Sequence, residues 1–408
     1  MHPLLRPAYA GIARVAATLS EAKWLRALGA RAGLIDRYRA WATVHRDTNR
    51  PLLWIHAPSV GEALQARPIV ELIRSERPAV QIAFTYYSPS AERFSRSLSV
   101  DFTDYLPFDR ASDIDAALDA LMPSALVFSK LDVWPVLVER ASARGVRLGL
   151  LSATLSARSS RRSMFARAVL HDAYARLDAV GAIDSADARR LIEIGVRPDV
   201  IEITGDTRYD QVWRMAADAA GAFPELAGRS LCVAGSTWPP DERVVLEGWL
   251  GSGMRLIVAP HEPTPTHVHH IETWAASHKV PSSRLSSGAT AADLIIVDSV
   301  GVLARLYSRA TVAYVGGGFH RAGLHSVLEP AAFGVPVLFG PRHTGSRDAG
   351  LLLAAGGGFV VTSATEFRKR LGADLTAAGA AAKAIVRQGL GAARRSLALV
   401  DRLMVGRE

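Results

Sequence analysis

The chain has 408 residues, 49% of them hydrophobic and 21% charged, with a formal net charge of +9. That length exceeds one ordinary core and predicts two domains, and the balance is that of a globular protein rather than a disordered or repeat-built one. The only cysteine, Cys232, rules out an internal disulfide; within SLCVAG it reads as a small buried hydrophobe, which suits a reducing compartment.

Charge is concentrated at the start. Residues 1–50 contain nine Lys/Arg against Glu21, Asp36 and Asp47, and so carry +6 of the total. Arg6, Arg14 and Lys23 break every apolar stretch there well short of the ~18 residues a membrane span requires, and no signal-peptide pattern is convincing. Leu4, Leu5, Ile12, Val15, Leu19 and Trp24, interspersed with arginine, suit an amphipathic helix that either lies on an anionic membrane or packs on its own domain. No basic and aromatic module points to nucleic acid.

Next comes a series of short apolar runs separated by helical patterns. LLWIH, QIAFTY, ALVFS, RLGLLS, DAVGAI and VIEIT predict six strands in the first half, with GEALQARPIVELIRSE and SADARRLIEIG as helices among them. SLCVAG, RLIVAP, DLIIVD, TVAYVG, PVLFG and FVVT predict six more in the second half. Continuous apolar runs alternating with helices indicate parallel strands buried on both faces, hence two doubly wound α/β domains in tandem. The expected divisions are a basic N-terminal segment at 1–50, a first Rossmann-like domain at 51–214 and a second at 215–385. YDQVWRMAADAAGAFPELAGRS is the expected linker, and a terminal helix at 386–408 is placed to cross back to the first domain.

Ligands of doubly wound sheets bind beyond the carboxyl ends of the strands, so the residues there matter most. After LLWIH, the turn HAPSVGEA presents Glu62 as a helix begins, either as a cap or as a group placed to take a proton. Lys130 and Asp132 follow ALVFS, as a local ion pair or as cleft residues. In the second half, Ser236 and Thr237 in AGSTWPPDE suit an N-cap and equally a phosphate contact. His261 ends RLIVAP and is either structural or a donor to a phosphoryl oxygen. His269 and His270 have no metal-site spacing. The three glycines of YVGGGFHRAGLHSVLEP allow close backbone approach to a ligand without forming a Walker or GxGxxG motif. No GxSxG elbow or Cys/His pair is present.

In order and spacing, WIHAPSVGEALQARPIV, FTYYSPSAER, YLPFD, SKLDVWP, TGDTRYDQV, GSTWPPDE, APHEP, VDSVGVL and GGGFHRAGLHSVLEPAAFGVPVLFGP resemble the 3-deoxy-D-manno-octulosonic acid (Kdo) transferases. These are glycosyltransferases of the GT-B type. The resemblance implies two Rossmann-like domains facing across a cleft, the donor CMP-Kdo on the second and a lipid A precursor approaching the first. It implies Glu62 as general base of an inverting transfer, with Asp132 and Lys130 as further catalytic candidates and Ser59, Gly61 and Ser88 on the acceptor side. Arg208, Ser236, Thr237, His261 and the amides of Gly317 and Gly318 would meet the leaving phosphate, His325 and Ser326 would join the donor site, and Glu329 would hold the ribose. Neither a metal nor another cofactor is implied. The implied place is the cytoplasmic face of the inner membrane, with the basic N-terminal segment attached to its anionic surface.

Three positions depart from the family pattern. Lys130 stands where glutamate is commoner, as in a branch that also carries GDTR[FY]D and GSTWP; Asp132 replaces a glutamate and reaches one methylene less far; Ser326 replaces an asparagine. The alternatives are a GT-B transferase or a UDP-GlcNAc 2-epimerase-like enzyme acting on another nucleotide sugar, and a non-catalytic membrane-surface scaffold.

Overall fold

The computed structural model describes residues 29–157, 159–288 and 291–405. The expected amphipathic helix falls mostly on residues 1–28, outside them. Two compact units form: one ends at Gln211 and resumes at Gly391, and the other runs from Val212 to Leu390. The division falls inside a helix, Arg208–Asp218, where a linker and a boundary after residue 214 were expected. That stretch holds no glycine or proline, and its alanines favour the helix.

The first unit is built on seven parallel strands: β1 (Leu52–His56), β2 (Gln81–Tyr86), β3 (Phe102–Tyr105), β4 (Ala125–Ser129), β5 (Arg147–Ala153), β6 (Ala179–Ala182) and β7 (Ile201–Ile203). Their order is β3-β2-β1-β4-β5-β6-β7, so the winding reverses between β1 and β4. Side chains alternate between the faces: Trp54, Leu126 and Phe128 pack on one, and Leu53, Ile55 and Val127 on the other. Strand β3 has no apolar run, because it is an edge strand whose Thr103 and Asp104 are only partly buried.

Helices Val60–Glu76 and Ala392–Met404 cover the second face, the latter through Leu397, Leu399, Val400 and Leu403. Each such leucine contributes about 1.5–3 kcal/mol. Gly149 on β5 makes room for this helix, since a Cβ there would lie 2.5 Å from the Leu403 side chain. Asp210 fixes its start by accepting from the Gly391 and Ala393 amides at 2.8 Å each.

The second unit has strands β8 (Leu231–Thr237), β9 (Arg255–Pro260), β10 (Ser282–Arg284), β11 (Leu294–Ile296), β12 (Val312–Val315), β13 (Val337–Phe339) and β14 (Gly358–Val360). They are parallel in the order β10-β11-β9-β8-β12-β13-β14, with the reversal between β8 and β12. The short polar edge strand β10 is the second strand that the apolar pattern does not reveal. Cys232 is fully buried in this core, and burial pushes its thiol well up from the ordinary value.

Candidate active site

In the first unit, the ends of β1 and β4 meet at the reversal point of the sheet, where open α/β sheets bind their ligands. After β1 the chain turns through Ala57–Ser59 into the helix Val60–Glu76, with Ser59 as its N-cap. The Ser59 hydroxyl caps no helix amide and donates instead to Glu62 Oε2. Lys130 Nζ donates to Glu62 Oε1 at 3.2 Å, and Ser129 donates to the Glu62 carbonyl at 3.2 Å. The Glu62 side chain is 17% exposed and that of Lys130 43%, so the pair sits at the solvent edge. Lys130 holds this position at φ +68, a left-handed conformation that costs a non-glycine residue about 1–2 kcal/mol. Ser152, at the end of the adjacent β5, is left-handed too. Strain gathered at strand ends is the pattern of a functional edge.

Asp132 lies in a separate network. Its Oδ2 faces His56 Nε2 at 3.3 Å and accepts from the Trp134 indole at 2.9 Å, while Oδ1 lies 3.5 Å from Arg161. Burial pushes this carboxyl up, but the His56 and Trp134 donors and the Arg161 charge outweigh it and hold the group below the usual carboxylate range. Gly61 is exposed, with the Ser59 hydroxyl 3.8 Å from where a Cβ would stand, and Ser88 caps a short 3-10 turn by accepting from the Ser90 amide at 3.3 Å. The aspartate of YLPFD, Asp109, accepts from the Val136 and Leu137 amides at 3.0 and 2.8 Å and so caps the helix after SKLDVWP.

In the second unit, the ends of β8, β9 and β12 bring together Ser236, Trp238, His261, His320 and His325. Ser236 is left-handed, at φ +52. Trp238 stacks on His320 at 4.2 Å and packs against His261 at 4.9 Å, while His261 lies 4.4 Å from His325. The Trp238 indole donates to His325 Nε2 at 3.4 Å, which places the imidazole proton on Nδ1. Burial, then the neighbouring His261, pushes His325 below the ordinary imidazole value. Glu329 begins the next helix, Leu328–Phe333, and burial pushes its carboxyl up to about 7. Ser326 is exposed.

Three expected phosphate contacts are occupied by the fold itself. The Gly317 amide donates to Asp241 Oδ2 at 2.9 Å. Asp241, fully buried, also accepts from the Trp238 and Phe319 amides at 3.0 and 3.2 Å and from the Tyr314 hydroxyl at 2.8 Å. The glycine run is required by packing: a Cβ on Gly316 would meet the Ser236 carbonyl oxygen at 2.2 Å, one on Gly317 the Gly323 carbonyl oxygen at 2.0 Å and one on Gly318 the Gly340 amide at 2.4 Å. The buried Thr237 hydroxyl donates to Glu242 at 2.8 Å. Arg208 belongs to the first unit, where its guanidinium grips Asp206 at 2.6 Å. His56, Arg161, Trp238, His320 and Asp241 escaped the sequence reading, although all but Arg161 stand inside motifs it singled out. Among the described residues no group of three or more His, Cys, Asp or Glu is placed to hold a metal ion.

Two doubly wound parallel sheets in tandem, each with polar side chains at its reversal point, are the architecture of the GT-B fold. The fold is shared with the UDP-GlcNAc 2-epimerase from Neisseria meningitidis solved with UDP-GlcNAc (TM-score 0.62, 13% identity, 86% of this chain and 100% of the other). It is also shared with a glycosyltransferase from Rickettsia africae (TM-score 0.58, 10% identity, 88% and 100%). The family model for 3-deoxy-D-manno-octulosonic-acid transferase (kdotransferase) matches residues 3–211. Proteins of that name from Chlamydophila psittaci and Haemophilus influenzae are 30% and 26% identical to this chain. The alignments cover 76% and 72% of it, and 74% and 71% of those proteins. The chain belongs to the Kdo transferase family of glycosyltransferases.

Proposed function

We propose that the protein transfers Kdo from CMP-Kdo to a lipid A precursor with inversion, Glu62 acting as general base. The acceptor's primary hydroxyl oxygen attacks the anomeric C2 of Kdo, the bond from C2 to the phosphate oxygen breaks, CMP leaves, and Glu62 takes the hydroxyl proton. The observation that carries this reading is the Glu62 carboxylate at the reversal point of the first sheet, fixed by Ser59 and Lys130 at the solvent edge. Asp132 suits the role of base less well, since three donors hold it as an anion. In the second unit, His261, His320 and Ser236 are the groups proposed to meet the phosphate, and Glu329 the ribose. The site of action is the cytoplasmic face of the inner membrane, reached through the basic N-terminal segment; no helix among the described residues is long and apolar enough to cross a membrane.

The test is mass spectrometry of products formed from CMP-Kdo and tetraacylated lipid A precursor. The native protein should add Kdo. Glu62→Gln should lose about 10²–10⁴ in rate, the usual contribution of a general base, while still binding CMP. A Glu62→Gln enzyme with native turnover overturns the assignment of the base. Stabilisation by UDP-GlcNAc without any by CMP overturns that of the donor.

A further inference from the structure

His56 is fully buried, yet both of its ring nitrogens have polar partners. The partners fix the proton positions one after another. An indole N–H only donates, so Trp54 gives its proton to Thr85 Oγ1 at 2.9 Å. Thr85 keeps its own proton, free to be given to His56 Nδ1 3.0 Å away, and the Asp132 carboxylate facing Nε2, which only accepts, selects that arrangement. With Nδ1 accepting, the imidazole proton lies on Nε2, which donates to Asp132 Oδ2 at 3.3 Å. The pairing His56↔Thr85 between β1 and β2 and the spacing of Trp54 and His56 on one face of β1 hold the chain together. A buried polar chain is costly unless every member is satisfied, and apolar residues of the same size would fill this core. This chain is satisfied throughout, and it ends on a carboxylate with a quarter of its side chain in solvent at the reversal point of the sheet.

We propose that His56 is a positioning residue for glycosyl transfer: through Thr85 and Trp54 it is locked as an Nε2–H donor that holds Asp132 in one orientation, with Oδ1 presented to a hydroxyl of the sugar acceptor. The inference rests on the transferase reading of the first unit. The groups that face Asp132 are His56 from β1, Trp134 from its own loop, and Arg161 from the segment after β5. The Lys130 ammonium is directed to Glu62 instead. Held by these donors, Asp132 is a fixed acceptor rather than a group that takes up protons.

The experiment compares His56→Leu, His56→Gln, Thr85→Val and Asp132→Asn in the full chain. The first readout needs no turnover: the Asp132 carboxyl carbon is titrated by NMR in protein labelled with 13C-aspartate, its signal assigned by loss in Asp132→Asn. Removing a donor that stabilises the carboxylate raises its titration midpoint, so the midpoint should rise in His56→Leu. It should return most of the way in His56→Gln, whose amide nitrogen stands near the position of Nε2.

The second readout is kinetic. His56→Leu should raise the acceptor KM about tenfold, the order expected for a hydrogen bond to a charged group, leave the KM for CMP-Kdo unchanged, and move the acidic limb of kcat/KM to higher pH. Added to Asp132→Asn, it should cause no further loss. An unmoved midpoint in folded His56→Leu, or additive losses in the double variant, overturns the proposal. If His56→Leu does not fold, Thr85→Val keeps the side-chain volume and should raise the midpoint in the same direction; no rise overturns the proposal. A native protein that makes no Kdo product overturns the transferase reading, while the midpoint still decides whether His56 holds Asp132.

Discussion

Glu329 begins its helix with a carboxyl withdrawn from water, and burial raises its pKa from 4.5 to about 7. A carboxyl that holds its proton more tightly in the folded chain than in the unfolded one favours folding while it is protonated. That contribution is fully present below about pH 4.5 and is lost as pH rises through about 7. A gap of about 2.5 pH units, at about 1.36 kcal/mol each, amounts to about 3.4 kcal/mol above neutrality. Because the residue keeps some exposure, about 2–3 kcal/mol is the working expectation. Glu329→Gln has the same shape and never ionises. Near pH 4 it should match the native protein, and near pH 8 it should be more stable by that margin. Urea unfolding at the two pH values, with hydrogen exchange across Leu328–Phe333 to assign the effect to the second unit, measures the difference. On the proposed reading of the donor site, the same change should weaken CMP-Kdo binding near pH 8, where the ribose hydroxyls would lose a charged acceptor. Parallel pH dependence in the two proteins would refute the assignment of the raised pKa.

Asp241→Asn replaces one oxygen of a carboxylate that accepts three backbone amides and a phenol, so an NH2 group must face an N–H. The loss should be about 3–5 kcal/mol, seen as a lower melting temperature. Gly316→Ala should destabilise by more than about 2 kcal/mol, because its Cβ meets backbone that cannot give way, whereas Gly345→Ala, with nothing within 4 Å, should stay within about 0.5 kcal/mol of native. Cys232 should resist thiol reagents in the native protein and react on unfolding; labelling at a rate independent of denaturant would contradict its burial.

Most strands legible in the sequence are buried on both faces, where burial writes a continuous apolar run such as LLWIH or RLIVAP; the edge strands β7 and β14 were legible as well, because VIEIT and FVVT keep β-branched apolar residues. FTDY and SSR lie at sheet edges, where one flank needs no such run, and they read as loop. Position at a strand end was legible for the same reason, and it brought Glu62, Lys130, Ser236 and His261 forward. Which way a polar group turns was not. Thr237 faces inward to Glu242, and the amide of Gly317 is taken by an aspartate dozens of residues away in the chain. Only the assembled sheet brings Tyr314, Asp241 and the glycine run together, and no local pattern encodes that. His56 looked like the last residue of an apolar strand; its partners Thr85 and Asp132 come from β2 and from the loop after β4.

The helix Ala392–Met404 gives synthesis an unusual order. The first unit emerges from the ribosome early, but the leucines that seal one face of its sheet come only after the second unit. The whole of Val212–Leu390 must be made in between, which at about 5–20 residues per second takes roughly ten seconds or more. Through that interval Ile55, Val127 and their neighbours lack part of their cover, so the nascent protein presents an apolar sheet to chaperones until that helix has been made. A premature stop just before this helix would therefore injure the half of the protein that was made first.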